Sequence, residues 1–303
     1  MRLSWSGYLG ILMLVVAILC ALFGSWIYPT AYDRSTGPPL QRPSQDHPLG
    51  TDDLGFDILA QLLLGGRISI TVGLGVGVSA TLIGSLIGFS AGFYGGWIDQ
   101  LLMRLVDITF GIPQFLVMIV LAAWLGPSLN HTIGVLILFS WMMPARLIRS
   151  STARLKEEWF VKAARSYGAG PLYVFFRHLL PQLAPLMGLS LIRTTSRAIM
   201  AEAGMAFLGL GDPSLPSWGQ IMRNALAFPA IWHTDFWRWW LLSPQLAITW
   251  VAIALALLYR SIDALYGTEV AISEQKPNKR HTTERREAEG CYLQRNSGSG
   301  IVR

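Results

Sequence analysis

Three charged residues sit where an apolar chain should not hold them. Arg193, Arg197 and Glu202 interrupt a stretch from about Leu183 to Leu208 that is otherwise apolar. An arginine at the centre of a bilayer-spanning helix costs about 2.5 kcal/mol or more. Arg193 and Arg197 are four apart, so on a helix they share one face, and Thr194, Thr195 and Ser196 add polarity beside them. Three placements compete. The residues line a water-filled path and touch a solute, with Asp107 as a further candidate; they pair with acidic groups such as Asp107 in this chain or in a partner; or they snorkel to an interface. On a path, their charge favours a solute that carries carboxylates.

Other chemistry is excluded more firmly. His47, His131, His178 and His233 are scattered, no pair has zinc-ligand spacing, and no metal site is expected. No Gly-x-x-x-x-Gly-Lys-Ser/Thr stands in the chain, so it lacks that backbone cradle for nucleotide phosphates. A His-Glu-x-x-His helix is missing too, and the Gly-x-Ser-x-Gly spacing occurs only as Gly88-Phe89-Ser90-Ala91-Gly92 within an uncharged apolar stretch rather than at a turn, which argues against a membrane-embedded enzyme. Cys20 lies in an apolar span and Cys291 in a polar tail, so no disulfide framework is implied.

The elements that must position these residues are membrane helices. Of 303 residues, 52% are hydrophobic and 14% charged, against roughly 25% charged in a soluble domain. The net charge of +6 does not point to nucleic acid, because the basic residues cluster beside apolar spans. The stretch from Tyr8 to Tyr28 is uncharged, longer than a signal-peptide core, and reads as a first spanning helix within residues 1–28. An external segment is expected over 29–67. Further spans are expected at 68–94, 101–125, 132–148, 183–208 and 239–259, with a flexible tail over 268–303. Six spans put Arg2, the basic loop between spans four and five, and the basic tail on one side, which the positive-inside rule makes cytoplasmic. Ala80, Gly84, Gly88 and Gly92 form a stripe of small residues suited to close helix packing, or to a sliding surface. Trp232, Trp237, Trp239 and Trp240 surround the start of the last span and read as an interfacial belt.

The loop over 151–181 is more than a tether. Ser151 to Tyr167 is amphipathic, Gly168-Ala169-Gly170-Pro171 is a sharp turn, and Leu172 to Leu180 is a second helical stretch ending at Pro181. Gly ends helices and Pro starts or blocks them, so the segment reads as a rigid knob on the cytoplasmic face.

Here the residues resemble a known pattern. Ala163-Ala164, Gly168 four residues on, and Leu180-Pro181 with the Pro thirteen after that Gly resemble the coupling motif of ATP-binding-cassette (ABC) importer permeases. Lys162 replaces the usual Glu and His178 the usual Ile. The run His47-Pro48-Leu49-Gly50-Thr51-Asp52 with Gly55 and Asp57 narrows the resemblance to the dipeptide, oligopeptide and nickel permeases, second (C-type) subunit. Phe56 replaces their usual Arg. Gly92-Phe93-Tyr94-Gly95-Gly96 with Asp99 continues the match, as do Met103-Arg104 with Asp107, Phe207-Leu208-Gly209-Leu210-Gly211 and Pro216-Ser217-Trp218-Gly219.

The resemblance implies an all-α integral membrane protein with six transmembrane helices and the type I importer permease fold over 68–267. It implies a multi-pass subunit of a bacterial inner membrane, both termini cytoplasmic, with no ATPase site of its own. ATP and Mg²⁺ would be handled by cytoplasmic ATPase partners. A sister permease and an extracytoplasmic solute-binding protein would complete the assembly. Ala163, Ala164, Gly168, Leu180 and Pro181 would couple to the ATPase, and Glu202 falls where the family has an acidic residue. The solute is expected to be a peptide or related small molecule, with nickel or a metal–chelator complex as the alternative. A self-sufficient secondary transporter would not need the docking loop.

Overall fold

The computed structural model describes residues 4–275, and the surroundings of side chains through Tyr266. Its regular elements are helices, and among the described residues the only strand-like feature is an isolated bridge between Thr51 and Asp57. The helices are α1 (Trp5–Ile27), α2 (Ile58–Tyr94), α3 (Gly96–Phe110), α4 (Gln114–Leu125), α5 (Leu129–Ser140) and α6 (Met142–Leu155). Then come α7 (Trp159–Ser166), α8 (Pro171–Val174), a π turn (Phe175–Leu179), α9 (Leu180–Phe207) and α10 (Trp218–Ala227). A 3-10 turn (Ile231–His233), α11 (Trp237–Trp240) and α12 (Leu242–Gln275) complete the order. Among the described residues, those up to Ile262 form one compact unit, and those from Asp263 to Gln275 belong to a second and are helical.

Four segments are long and apolar enough to cross a bilayer: Trp5–Ile27, Ile58–Tyr94, Leu129–Leu155 and Trp237–Tyr266. The stretch expected as one span over 101–125 is instead a pair, α3 and α4, meeting at 82°. Pro113 explains the break: it caps α4, and a residue before proline is driven out of the helical region. Helix α9 is 28 residues long, and Arg193, Arg197 and Glu202 make it the least apolar of the long helices expected to span. The tail expected to be flexible from 268 is helical to Gln275, since neither Gly nor Pro occurs over Thr268–Gln275. Residues 276–303, which include Cys291, lie outside the described part.

Helix α2 is the mast of the bundle, packed against α1, α5, α6, α9 and α10. Its small residues permit this. A Cβ added at Gly84 or Gly88 would collide with the backbone at Trp141 and Ala145, and one at Gly92 would lie 2.6 Å from the Arg149 carbonyl oxygen. The stripe therefore seats α6 at backbone contact, so α2 and α6 gain dispersion contacts along their whole overlap.

Outside the bundle, residues 29–57 fold into a tight cap on the start of α2. Asp57 is fully buried and accepts from the Ala60 N–H (2.8 Å) and the Tyr28 hydroxyl (2.7 Å), with His47 Nδ1 at 2.6 Å. Gln61 donates to Asp52 at 2.8 Å. Burial pushes the Asp52 carboxyl above its ordinary range, against the pull of the Phe56 N–H, the Gln61 amide and the Leu54 N–H. The tryptophan-rich segment departs from an interfacial belt. Trp240 is buried beside Phe228, Trp237 and Trp239 pack on the same core, and only Trp232 among the four is strongly exposed.

Candidate functional site: the coupling knob and the charged face of α9

The knob begins where α6 stops. Lys156, Glu157 and Glu158 interrupt the single amphipathic helix expected from Ser151, and Glu158 takes an extended backbone (ψ 144°) before α7. Helix α7 closes in a Schellman motif. The Ala169 N–H donates to the Ala164 carbonyl (3.1 Å) and the Gly168 N–H to that of Arg165 (3.0 Å). That closure needs a left-handed residue, and Gly168 supplies it at φ +82°. Pro171 then opens α8 at a position where its missing N–H costs nothing.

Pro181 does not end the second stretch. It sits in the first turn of α9, and the strain appears upstream as the π turn, where the Leu180 N–H reaches back to Phe175. The proline ring crowds the Arg177 carbonyl four residues before it, so the preceding turn widens. One helical column thus runs from the knob into α9. Its inner side is anchored by an apolar cluster of Phe89, Phe93, Ile148, Leu155, Val161, Val174, Leu179 and Leu183. Leu180 and Pro181 stand at the junction itself.

The outer side of the knob is a groove of about 740 Å³, lined by Trp159, Ala163, Ala164, Gly168, Tyr173 and His178 among others. Tyr167 is 92% exposed at its rim, and Trp159, Leu172, Tyr173 and Phe176 are exposed around it. His178 packs between Phe160 and Tyr173, with ring centroids 6.1 and 5.7 Å away. Lys162 bonds Glu157 at 2.9 Å in solvent and holds that carboxyl below its usual range. The result is an apolar, aromatic concavity over a packed base.

The charged residues separate into two groups. Glu202 is 3% exposed and accepts from the Ser69 hydroxyl at 2.9 Å, which locks α9 to α2 on the buried side. Arg193 and Arg197 are exposed on the opposite side of α9. Asp107 pairs with Arg146, whose guanidinium also lies 4.6 Å from the Phe110 ring centroid, so it is not a partner for either α9 arginine. A second tie escaped the sequence reading: Arg149 grips Asp99 with both Nε and Nη2 and pins α3 to α6. Its signal in the sequence is an acid three residues after Gly96 and an arginine just past the fourth expected span. Among the described residues no group of three His, Cys, Asp or Glu is placed to hold a metal ion.

The chain matches the family described as "Binding-protein-dependent transport system inner membrane component" over residues 84–271. It is 36% identical over 224 residues to the glutathione transport system permease protein GsiD of Escherichia coli O6:K15:H31, covering 71% of this chain and 72% of that one. The same figures hold for GsiD of Shigella boydii serotype 4. Among solved structures it resembles a chain of the MetNI methionine ABC transporter in an inward-facing conformation. That match has a TM-score of 0.51 and 18% identity, and covers 67% of this chain and 96% of that one. This last likeness concerns the fold.

Proposed function

The chain belongs to the family of binding-protein-dependent transport system inner membrane components and is a permease subunit of an ABC importer; from that premise we propose how it is driven and what it carries. The knob over 151–181 is the cytoplasmic coupling element. Its aromatic groove receives an ATPase subunit, and ATP binding and hydrolysis occur on that partner. Ala163 and Ala164 line the docking groove, Gly168 fixes its angle, and Leu180-Pro181 carries the displacement into α9. Both termini are then cytoplasmic, and residues 29–57 face a solute-binding protein. A sister permease supplies the other half of the path.

One observation carries this reading: a left-handed Gly168 closes a short helix whose inner side is bolted to the bundle and whose outer side is left bare. A stiff lever can transmit force where a flexible loop would absorb it. The exposed face of α9 lines the translocation path, whereas Glu202 and Asp107 hold helices together. The solute is peptide-like, in keeping with the glutathione permeases to which the chain is similar. The test is uptake in a strain lacking this chain, complemented with it and scanned across di- and tripeptides and nickel chelates, with copurification of the partners. Recovery of an ATPase chain and restored peptide uptake are expected. Uptake of nickel chelates alone would reassign the solute. Uptake with no ATPase requirement would reassign the protein to secondary transport.

A further inference from the structure

Arg193 and Arg197 are one helical turn apart, both exposed, and neither has a hydrogen bond or ion pair among the described residues. Contacts with α2 set their depth. Ser69 meets Glu202, Gly73 packs on Ile199, and Gly77 on Thr195. Gly77 is near the middle of the 37-residue α2, so the two guanidinium groups flank the centre of the bundle.

Three acids the sequence offers as partners are engaged elsewhere: Glu202 with Ser69, Asp107 with Arg146 and Asp99 with Arg149. An arginine cannot shed its proton to escape an apolar setting. Two permanent charges facing lipid near the middle of the bundle would each carry the cost of an arginine at mid-membrane, which favours a face that meets water or another protein. The guanidinium fork matches the two oxygens of a carboxylate, and two forks a turn apart can hold one carboxylate between them or two in succession.

We propose that Arg193 and Arg197 form an anion subsite in the translocation path that takes a carboxylate of the solute. The inference rests on the reading that the exposed face of α9 lines the translocation path, and on the peptide-type reading for the choice of probe peptides. The competing arrangement, in which the arginines pair with acids of the sister permease, is an outcome of the test.

The assembled transporter is reconstituted in vesicles with its binding protein. Uptake of alanyl-glutamate is compared with that of its counterpart in which both carboxylates are amidated. Each variant is normalised to the unmodified chain, so selection by the binding protein cancels. Arg193→Gln with Arg197→Gln should lower acidic-peptide uptake about tenfold or more while the amide falls less than about twofold. Stimulation of ATP hydrolysis by loaded binding protein should stay intact, and Arg→Lys at both sites should recover part of the loss. Equal losses for both peptides, or no loss for either, would overturn the subsite.

A second measurement needs no transported solute. In a Cys20→Ser, Cys291→Ser background, Arg197→Cys with Arg193 retained is labelled by water-soluble thiosulfonates. Reaction about fivefold faster with the anionic reagent than the cationic one supports the subsite. No reaction with or without ATP overturns it. Should the unmodified transporter carry neither peptide, the peptide reading falls while the labelling still decides the subsite.

Discussion

The Gly168 hinge of the proposed coupling knob can be weakened by a single methyl group. At Gly168 an added Cβ would meet nothing within 4 Å, so Gly168→Ala acts through backbone conformation alone. Holding an L-residue at φ +82° costs about 1–2 kcal/mol. That is a roughly 5- to 30-fold loss in the population of the closed Schellman turn relative to open alternatives. Asn, which tolerates the left-handed region, should lose less. Pro fixes φ near −65° and removes the N–H that donates to Arg165, so it cannot close the turn at all. The apolar cluster beneath does not include Gly168, so membrane insertion and assembly of the bundle should be unchanged. The assay is solute imported per ATP hydrolysed in reconstituted transporter. Efficiency should fall in the order Gly, Asn, Ala, Pro, with normal amounts of subunit in the membrane. Normal coupling in Gly168→Pro would refute the lever argument.

Further outcomes follow from the packing. Gly88→Ala should destabilise the detergent-solubilised complex by about 1–3 kcal/mol, because the new carbon meets the Ala145 backbone. Gly75→Ala, with open space around it, should be neutral or stabilising by up to about 1 kcal/mol; thermal denaturation of both variants checks the contrast. Glu202→Ala should cost about 1.5–3 kcal/mol by losing the bond from Ser69, whereas Glu202→Gln, which keeps an acceptor oxygen, should cost less. A comparable loss of solute-specific uptake in Glu202→Gln without any stability change would instead place Glu202 on the path. A charged residue at Ala164, half-buried over the apolar cluster and lining the groove, should uncouple transport while the subunit remains in the membrane. Import and ATP hydrolysis measured on the same vesicles would show this.

Much of the fold was legible because glycine, proline and charge leave strong marks. Gly168 announced its turn, and Gly84, Gly88 and Gly92 announced a close helix contact. Tertiary effects hid the rest. Nothing in the run Leu155 to Trp159 signals a helix break, since Lys156, Glu157 and Glu158 are tolerable helix residues and the interruption comes from docking Val161 into the apolar cluster. Pro181 looked like a stop, yet its cost was moved into a π turn that lets the chain run on. Charge alone could not separate Glu202 from Arg193 and Arg197, because their sides of α9 are defined only once α2 is in place. The sequence leaves Asp107 open as a path residue or as a counter-charge for α9, and in the fold it pairs with Arg146.

The proposed coupling requires the aromatic groove around Gly168 to be filled by an ATPase subunit. A photo-crosslinking residue placed at Tyr167 or Tyr173, in the assembled transporter in inside-out vesicles, tests this most directly. The predicted product is a covalent adduct with the ATPase chain that changes in yield between nucleotide-free and ATP-bound states. Adducts only with lipid or with the external binding protein, or labelling of these sites from outside intact cells, would contradict it.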